Sequence, residues 1–238
     1  MKTLNNVDLK EVQMKLYERL KPSGWGQQLK GFLLSDDFYS LLNKLLDQAN
    51  DQKRFTPTMK QVFRAFEECP YDKLKVIIVT QDPYPYAGVA DGIAFSCSNT
   101  GKIAASLKYI FKDIETNVYL DGYEWNPDLA RWSNQGVLML NTALTTTINK
   151  VGEHYDIWAP FIQYLFDIIT TKNPGLVYAF MGKKAQEWIK QIPENNILLS
   201  CSHPASAAHS EKEFWDSGDI FNRINDATHK QFNTQIVW

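Results

Sequence analysis

Four short apolar runs set the limits on what this chain can fold into. They are Val76-Ile-Ile-Val79, Val137-Leu-Met-Leu140, Leu176-Val-Tyr-Ala-Phe180 and Ile197-Leu-Leu-Ser200. Each is too short for a stable helix and shows no polar alternation, which is the pattern of a strand buried on both faces. Between and before them, apolar residues recur at helical spacing. Leu9, Val12, Leu16 and Leu20 follow a capping-box-like Asp8 and Glu11. Trp25 opens a short second helix toward Leu33, and Ser35-Asp-Asp37 starts a third that carries Phe38, Leu41, Leu42, Leu45 and Leu46. Further helices are expected at Met59–Phe66, Ile103–Ile114, Leu129–Trp132, Phe161–Ile169, Ala185–Ile189 and near Ile220–Ile224. Ile93–Ser96 reads as a brief extended piece, 121–126 as loop and Thr145–Tyr155 as polar connection. Strands alternating with helices describe a three-layer α/β/α fold around a four-stranded parallel sheet.

Right-handed crossovers put the C-terminal ends of all four strands on one edge, where open α/β sheets bind ligands. Asp82, Asn141, Gly182 and His203 each follow a strand at that edge. In Asp82-Pro83-Tyr84-Pro85, two prolines stop the strand and hold a carboxylate and an aromatic on a stiff loop. A set of turns that gathers an acid, an amide, a glycine and a histidine points to a site.

Several chemistries fit that set. Asp82 can act as a general base, as a metal ligand or as a stabiliser of positive charge. One Asp and one His are too few for a metal, so none is expected. The Asn141 amide can read an amide-like edge such as a nucleobase, or simply cap a turn. His203 can donate to a developing oxyanion, or be structural. Phe95 can stack on a planar ligand, or fill the core. No G-x-S-x-G, Walker loop or G-x-G-x-x-G is present, which argues against a serine elbow or a P-loop.

The net charge of −2 provides no global basic field, so a nucleic-acid role has to rest on a local patch. Three cysteines without C-x-x-C spacing argue against a disulfide framework and for a reducing compartment. Residues 1–8 hold no apolar signal core, and no run reaches membrane-spanning length. The 238 residues show no repeat and no convincing linker, so one domain over 1–238 is expected, with 1–22 as an N-terminal helix or extension.

The order of motifs resembles family 1 uracil-DNA glycosylase. The matching segments are Gln81-Asp-Pro-Tyr84, Gly92-Ile-Ala-Phe-Ser96, Ser106-Leu107, Gly136-Val-Leu-Met-Leu-Asn141, Gly182 and His203-Pro204. The resemblance runs from about Trp25 to Trp238. It implies a monomeric, cofactor-free enzyme that flips uracil out of DNA and hydrolyses its N-glycosidic bond. By position, Asp82 would orient the water and stabilise the sugar cation, and His203 would donate to uracil O2. Asn141 would read N3 and O4, where cytosine leaves polar groups unpaired, a mismatch worth about 10⁴ in discrimination. Tyr84 would press where thymine carries its methyl group, Phe95 would stack on the base, and Gln81 would contact it through its backbone. DNA contacts are expected from Ser106, Gly182, Lys183, Pro204, Ser206 and Ala207.

The chain departs from the family on its DNA-handling loops. Pro85 stands where a histidine is usual, as in pox-virus members. Ala207 falls at the position of the leucine that enters the stack, with His209, Ser206 or Ser210 available to do part of that work. Lys183 replaces a serine and can attract phosphate. The partners implied are uracil-containing DNA and a proteinaceous inhibitor in the DNA cleft. The expected compartment is cytoplasmic, or nuclear or viral according to source. The alternative function is a catalytically weak relative serving as a DNA-binding or replication-accessory protein.

Overall fold

The structure, a computed structural model, describes residues 7–120 and 122–238. Three helices open the chain: α1 (Leu9–Leu20), α2 (Trp25–Leu33) and α3 (Asp36–Asn50). Asp8 caps α1 by accepting from the N–H groups of Lys10 and Glu11, and Ser35 caps α3 through Phe38. Strand β1 (Phe55–Thr56) and α4 (Arg64–Glu68) lead to β2 (Val76–Thr80). Next come α5 (Ala105–Ile114), α6 (Ala130–Ser133), β3 (Val137–Asn141), β4 (Thr146–Thr147) and α7 (Tyr155–Lys172). The chain ends with β5 (Val177–Met181), α8 (Lys183–Gln186), β6 (Ile197–Cys201), α9 (Pro204–His209) and α10 (Ile220–Phe232).

The main sheet is parallel throughout, in the order β3-β2-β5-β6. Every residue of β2, β3 and β5 is buried, so both faces of these strands are covered. Strand β6 lies at the edge and is only half-buried, with Ser200 exposed. A single apolar core joins side chains from Leu9 to Trp238. The three cysteines, Cys69, Cys97 and Cys201, are free thiols. Among the described residues no helix is long and apolar enough to cross a membrane.

Five expectations need correction. The helix expected at Met59–Phe66 forms only as α4, Arg64–Glu68, and residues 59–63 are turns. Ile93–Ser96 is a turn, not an extended piece, because Phe95 takes a left-handed φ of 64° that breaks any ladder. The connection 145–155 contains β4, which pairs with β1 in a separate antiparallel sheet of two strands. Helix α7 begins at Tyr155 and runs through Pro160, six residues before the expected start at Phe161. Pro160 lies near the helix start, where its missing N–H removes one early bond without breaking the helix. The segment after His203 is a helix, not loop: Pro204 sits in its first turn, where the missing N–H costs nothing, and alanines follow. Of the loop expected at 121–126, Asp121 lies outside the described residues, and the rest carries no helix or strand.

Candidate active site

The ends of β2, β3 and β6 meet at one cleft of about 660 Å³; Gly182, after β5, does not line it but packs against Gln81 and His203, which do. Gln81, Asp82, Tyr84, Phe95, Ser106, Asn141, His203 and Ser206 all line it. The parallel register explains the meeting. Thr80 pairs with Asn141, and Met181 with Cys201, so the residues that follow leave the sheet at one level. Gly182 holds this corner together. Its φ is 94°, and a Cβ there would stand 2.8 Å from both Gln81 Nε2 and His203 Cβ. Only glycine lets these two elements close on each other.

Asp82 is half-buried and held from behind. The Gly152 N–H donates to Oδ2 at 2.9 Å, and the Tyr155 hydroxyl donates to Oδ1 at 3.1 Å. Burial raises the Asp82 pKa above the usual carboxylate range, and these two bonds partly offset it. Asp82 is the one acid among the described residues that line the cleft.

His203 faces Asp82's cleft from the N-terminus of α9. Its Nδ1 accepts the Ala205 N–H at 3.1 Å, which places the proton of the neutral ring on Nε2. That Nε2 lies 3.4 Å from Thr80 Oγ1. Burial, with His209 nearby, lowers the imidazole pKa to about 4. His203 is therefore a neutral donor at physiological pH. The unfolded chain takes up this proton near pH 6.5, the folded one near 4, so the stability from this burial is complete above 6.5 and fades below it. The interval between the two amounts to about 3 kcal/mol. Urea melts of wild type and His203→Gln should diverge most at pH 7 and converge toward pH 4.5. A constant gap between them would remove this role.

Asn141 ends β3 at 7% exposure, and its side-chain amide has no hydrogen-bonding partner among the described residues. Phe95 is 7% exposed, and its ring lies 5.3 Å from that of His203. Tyr84 donates to the Phe95 carbonyl at 3.0 Å, so the two aromatics form one wall. The Gln81 backbone is already engaged: its N–H meets Thr80 Oγ1 at 2.6 Å and its carbonyl accepts from Ala143 and Thr142. A base contact through that N–H competes with Thr80.

The loop residues divide. Ser106 sits 7% exposed in the first turn of α5, and the Ser206 hydroxyl donates to the His203 carbonyl at 2.7 Å. Lys183 is exposed but stands outside the cleft, and Pro204 is buried. Ala207 is 2% exposed and so offers no atom to DNA, which removes it from the expected contact set. Ala205, Ser206, Ala208 and His209 present the surface of α9 instead.

Sequence reasoning missed three features. Tyr155 and Gly152 lay within a stretch read as polar connection. Tyr86 and Val151, 61% and 68% exposed, add apolar surface to the rim. Asp91, fully buried, anchors the turn that carries Phe95 through the Ile93 and Ser98 N–H groups, the Ser96 and Ser98 hydroxyls and Arg64. An acid inside the small, flexible 87–92 segment, followed by serines, was the available signal for this last one. Among the described residues, no group of three His, Cys, Asp or Glu side chains could hold a metal.

Known proteins resemble this chain over most of its length. A uracil-DNA glycosylase of Bacteroides thetaiotaomicron is 32% identical over 204 residues, 85% of this chain and 91% of that one. One from Acinetobacter baumannii is 30% identical over 228 residues, 95% of each. The crystal structure of mimivirus uracil-DNA glycosylase superposes with a TM-score of 0.83 at 24% identity, covering 93% of this chain and 88% of that one. A variant of mimivirus UNG in complex with UGI superposes with a TM-score of 0.80 at 25% identity, covering 92% and 90%. The family model of the uracil DNA glycosylase superfamily matches residues 66–228, more than half of the chain. With that match, and with relatives of this identity and coverage, the chain belongs to the uracil DNA glycosylase superfamily.

Proposed function

We propose that this protein is a uracil-DNA glycosylase that hydrolyses the N-glycosidic bond of deoxyuridine in DNA, leaving an abasic site for base excision repair. The observation that carries the reading is the Asn141 amide. The amide makes no hydrogen bond among the described residues and opens on the cleft, so its donors and acceptor are free to meet a ligand. An aromatic wall, a neutral imidazole donor and an acid line the same cleft. The amide offers one acceptor and two donors, which match the N3–H and O4 of uracil. Asp82 orients water and stabilises the sugar cation, while His203 Nε2–H donates to O2 as charge builds on the leaving base. Tyr84 excludes a 5-methyl group, and Phe95 stacks on the ring. The reaction needs no cofactor, and the enzyme acts as a monomer on uracil-containing DNA. A proteinaceous inhibitor of the UGI kind is the partner that would compete for the cleft. The test is alkaline cleavage of oligonucleotides after incubation with the protein. A uracil strand should be cut and matched cytosine and thymine strands left intact. No cut in the uracil strand from folded protein would end this reading.

The α9 side of the cleft bears directly on which DNA is preferred. Ala205, Ser206, Ala208 and His209 supply no long apolar side chain to fill the space that a flipped base leaves. Extrusion from duplex costs a few kcal/mol, and a single strand avoids that cost. Excision from single-stranded uracil should therefore exceed that from duplex uracil opposite adenine by about 10-fold or more, one tenfold per ~1.4 kcal/mol left uncompensated. Equal or faster duplex turnover would contradict this.

A further inference from the structure

The carboxylate of Asp82 is gripped by groups that no motif of the family accounts for. We propose that Tyr155 is a positioning residue for Asp82: its hydroxyl and the Gly152 N–H form a two-pronged clamp that fixes the carboxylate for water activation. The proposal deepens the glycosylase reading and rests on it for the role of Asp82.

The clamp is visible in the geometry. Gly152 N lies 2.9 Å from Oδ2 and Tyr155 Oη 3.1 Å from Oδ1, so each carboxylate oxygen has one donor. A carboxylate oxygen can accept twice. The Asp82 N–H adds a third bond, so one of the four acceptor sites remains for water. Tyr155 Oη also comes within 3.5 Å of Gln81 Oε1. The two prongs are built as one piece. Gly152 has φ of 76°, and a Cβ there would stand 2.7 Å from Tyr155 Cε2. Tyr155 is the first residue of α7, so its ring is carried on a rigid element. The loop after Asp82 cannot supply a side-chain donor at position 85, because Pro85 has none. Burial, and then the charge of Asp82, hold the phenol well above its usual pKa, so it stays a donor throughout the working range.

Other charges surround the clamp, and Tyr155→Phe leaves all of them in place. Lys184 stands 5.8 Å from the Tyr155 ring centroid and pairs with Glu187 at 3.0 Å, both beside α8. Glu153 pairs with Lys53 at 3.1 Å and Lys150 at 3.2 Å. Asp156 follows along α7, its side chain lining a crevice with Tyr155 and Lys190, and His203 lines the cleft with Asp82.

The deciding measurement is the ¹³C carboxyl titration of Asp82, assigned by its loss in Asp82→Asn, in wild type and in Tyr155→Phe. Removing a donor to the charged form should make Asp82 titrate at higher pH. The acid limb of kcat/KM should move in the same direction, with kcat lower by about 10-fold and KM within about twofold. Gly152→Ala, which displaces the ring but keeps the phenol, should reproduce the shift. An Asp82 titration unmoved in Tyr155→Phe overturns the proposal, as does a lower kcat with a fixed acid limb, which is the mark of lost packing. If wild type cuts no uracil DNA, the glycosylase reading falls while the carboxyl titration still decides the clamp.

Discussion

Asp82→Asn is expected to slow uracil release by about 10²–10⁴-fold while KM moves little. No other acid among the described residues lines the cleft, so none can take over. The substitution also fails at the rear of the side chain. Gly152 and Tyr155 both donate to Asp82, but an asparagine offers only one oxygen, so its NH₂ must oppose one of the two donors. The misplaced amide neither accepts a proton from water nor balances positive charge on the sugar. The residues proposed to recognise the base, Asn141, Tyr84 and Phe95, are left alone by the change. Single-turnover excision of a uracil oligonucleotide across pH measures this directly. A variant within about threefold of wild type would show that the carboxylate does not act in the chemical step.

The second large effect falls on stability. Asp91→Ala should cost about 3–5 kcal/mol, because it takes the acceptor from several buried donors, at ~1–3 kcal/mol for each one left unsatisfied. Asp91 is fully buried, and its carboxylate receives Arg64 at 2.8 Å, the Ser96 and Ser98 hydroxyls at 2.6 Å each, and the Ile93 and Ser98 N–H groups. Arg64 keeps a bidentate pair with Asp128, but it loses its most buried partner. A loss of that size is a fifth or more of the total for a typical domain, about 5–15 kcal/mol. The turn that sets the left-handed Phe95 loses its anchor at the same time, so excision should fall at temperatures where the variant is still folded. Urea melts and excision rates measured together test both points. An unchanged midpoint would mean that the network holds nothing.

How much of this was legible in the sequence follows the range of the forces involved. Three of the four parallel strands are legible because burial on both faces writes an unbroken apolar run; β6 shows a similar run although it is only half-buried. Asp82, Asn141, Gly182 and His203 were placed at one edge by handedness alone. Short-range polarity also read correctly, as in the Asp8 and Ser35 caps. What did not show were contacts made across the chain. Tyr155 reaches Asp82 over 73 positions, and no local pattern marks a tyrosine for that task. The strands β1 and β4, two residues each, carry no periodicity of their own. The start of α7 was hidden by Pro160, because a proline near a helix start and one in its middle look alike in sequence. Ala207 was placed by counting from His203-Pro204, and the count said nothing of which way a helical turn would face it.

The order of the strands has one more consequence. Asp82 follows β2 in the middle of the sheet, and Asn141 ends β3, whose residues are all buried although it is the other edge strand. His203 follows β6, the half-exposed edge. Edge elements with fewer covered hydrogen bonds open first when a protein fluctuates. The His203 side of the cleft is therefore expected to loosen before the Asn141 side when the molecule is warmed.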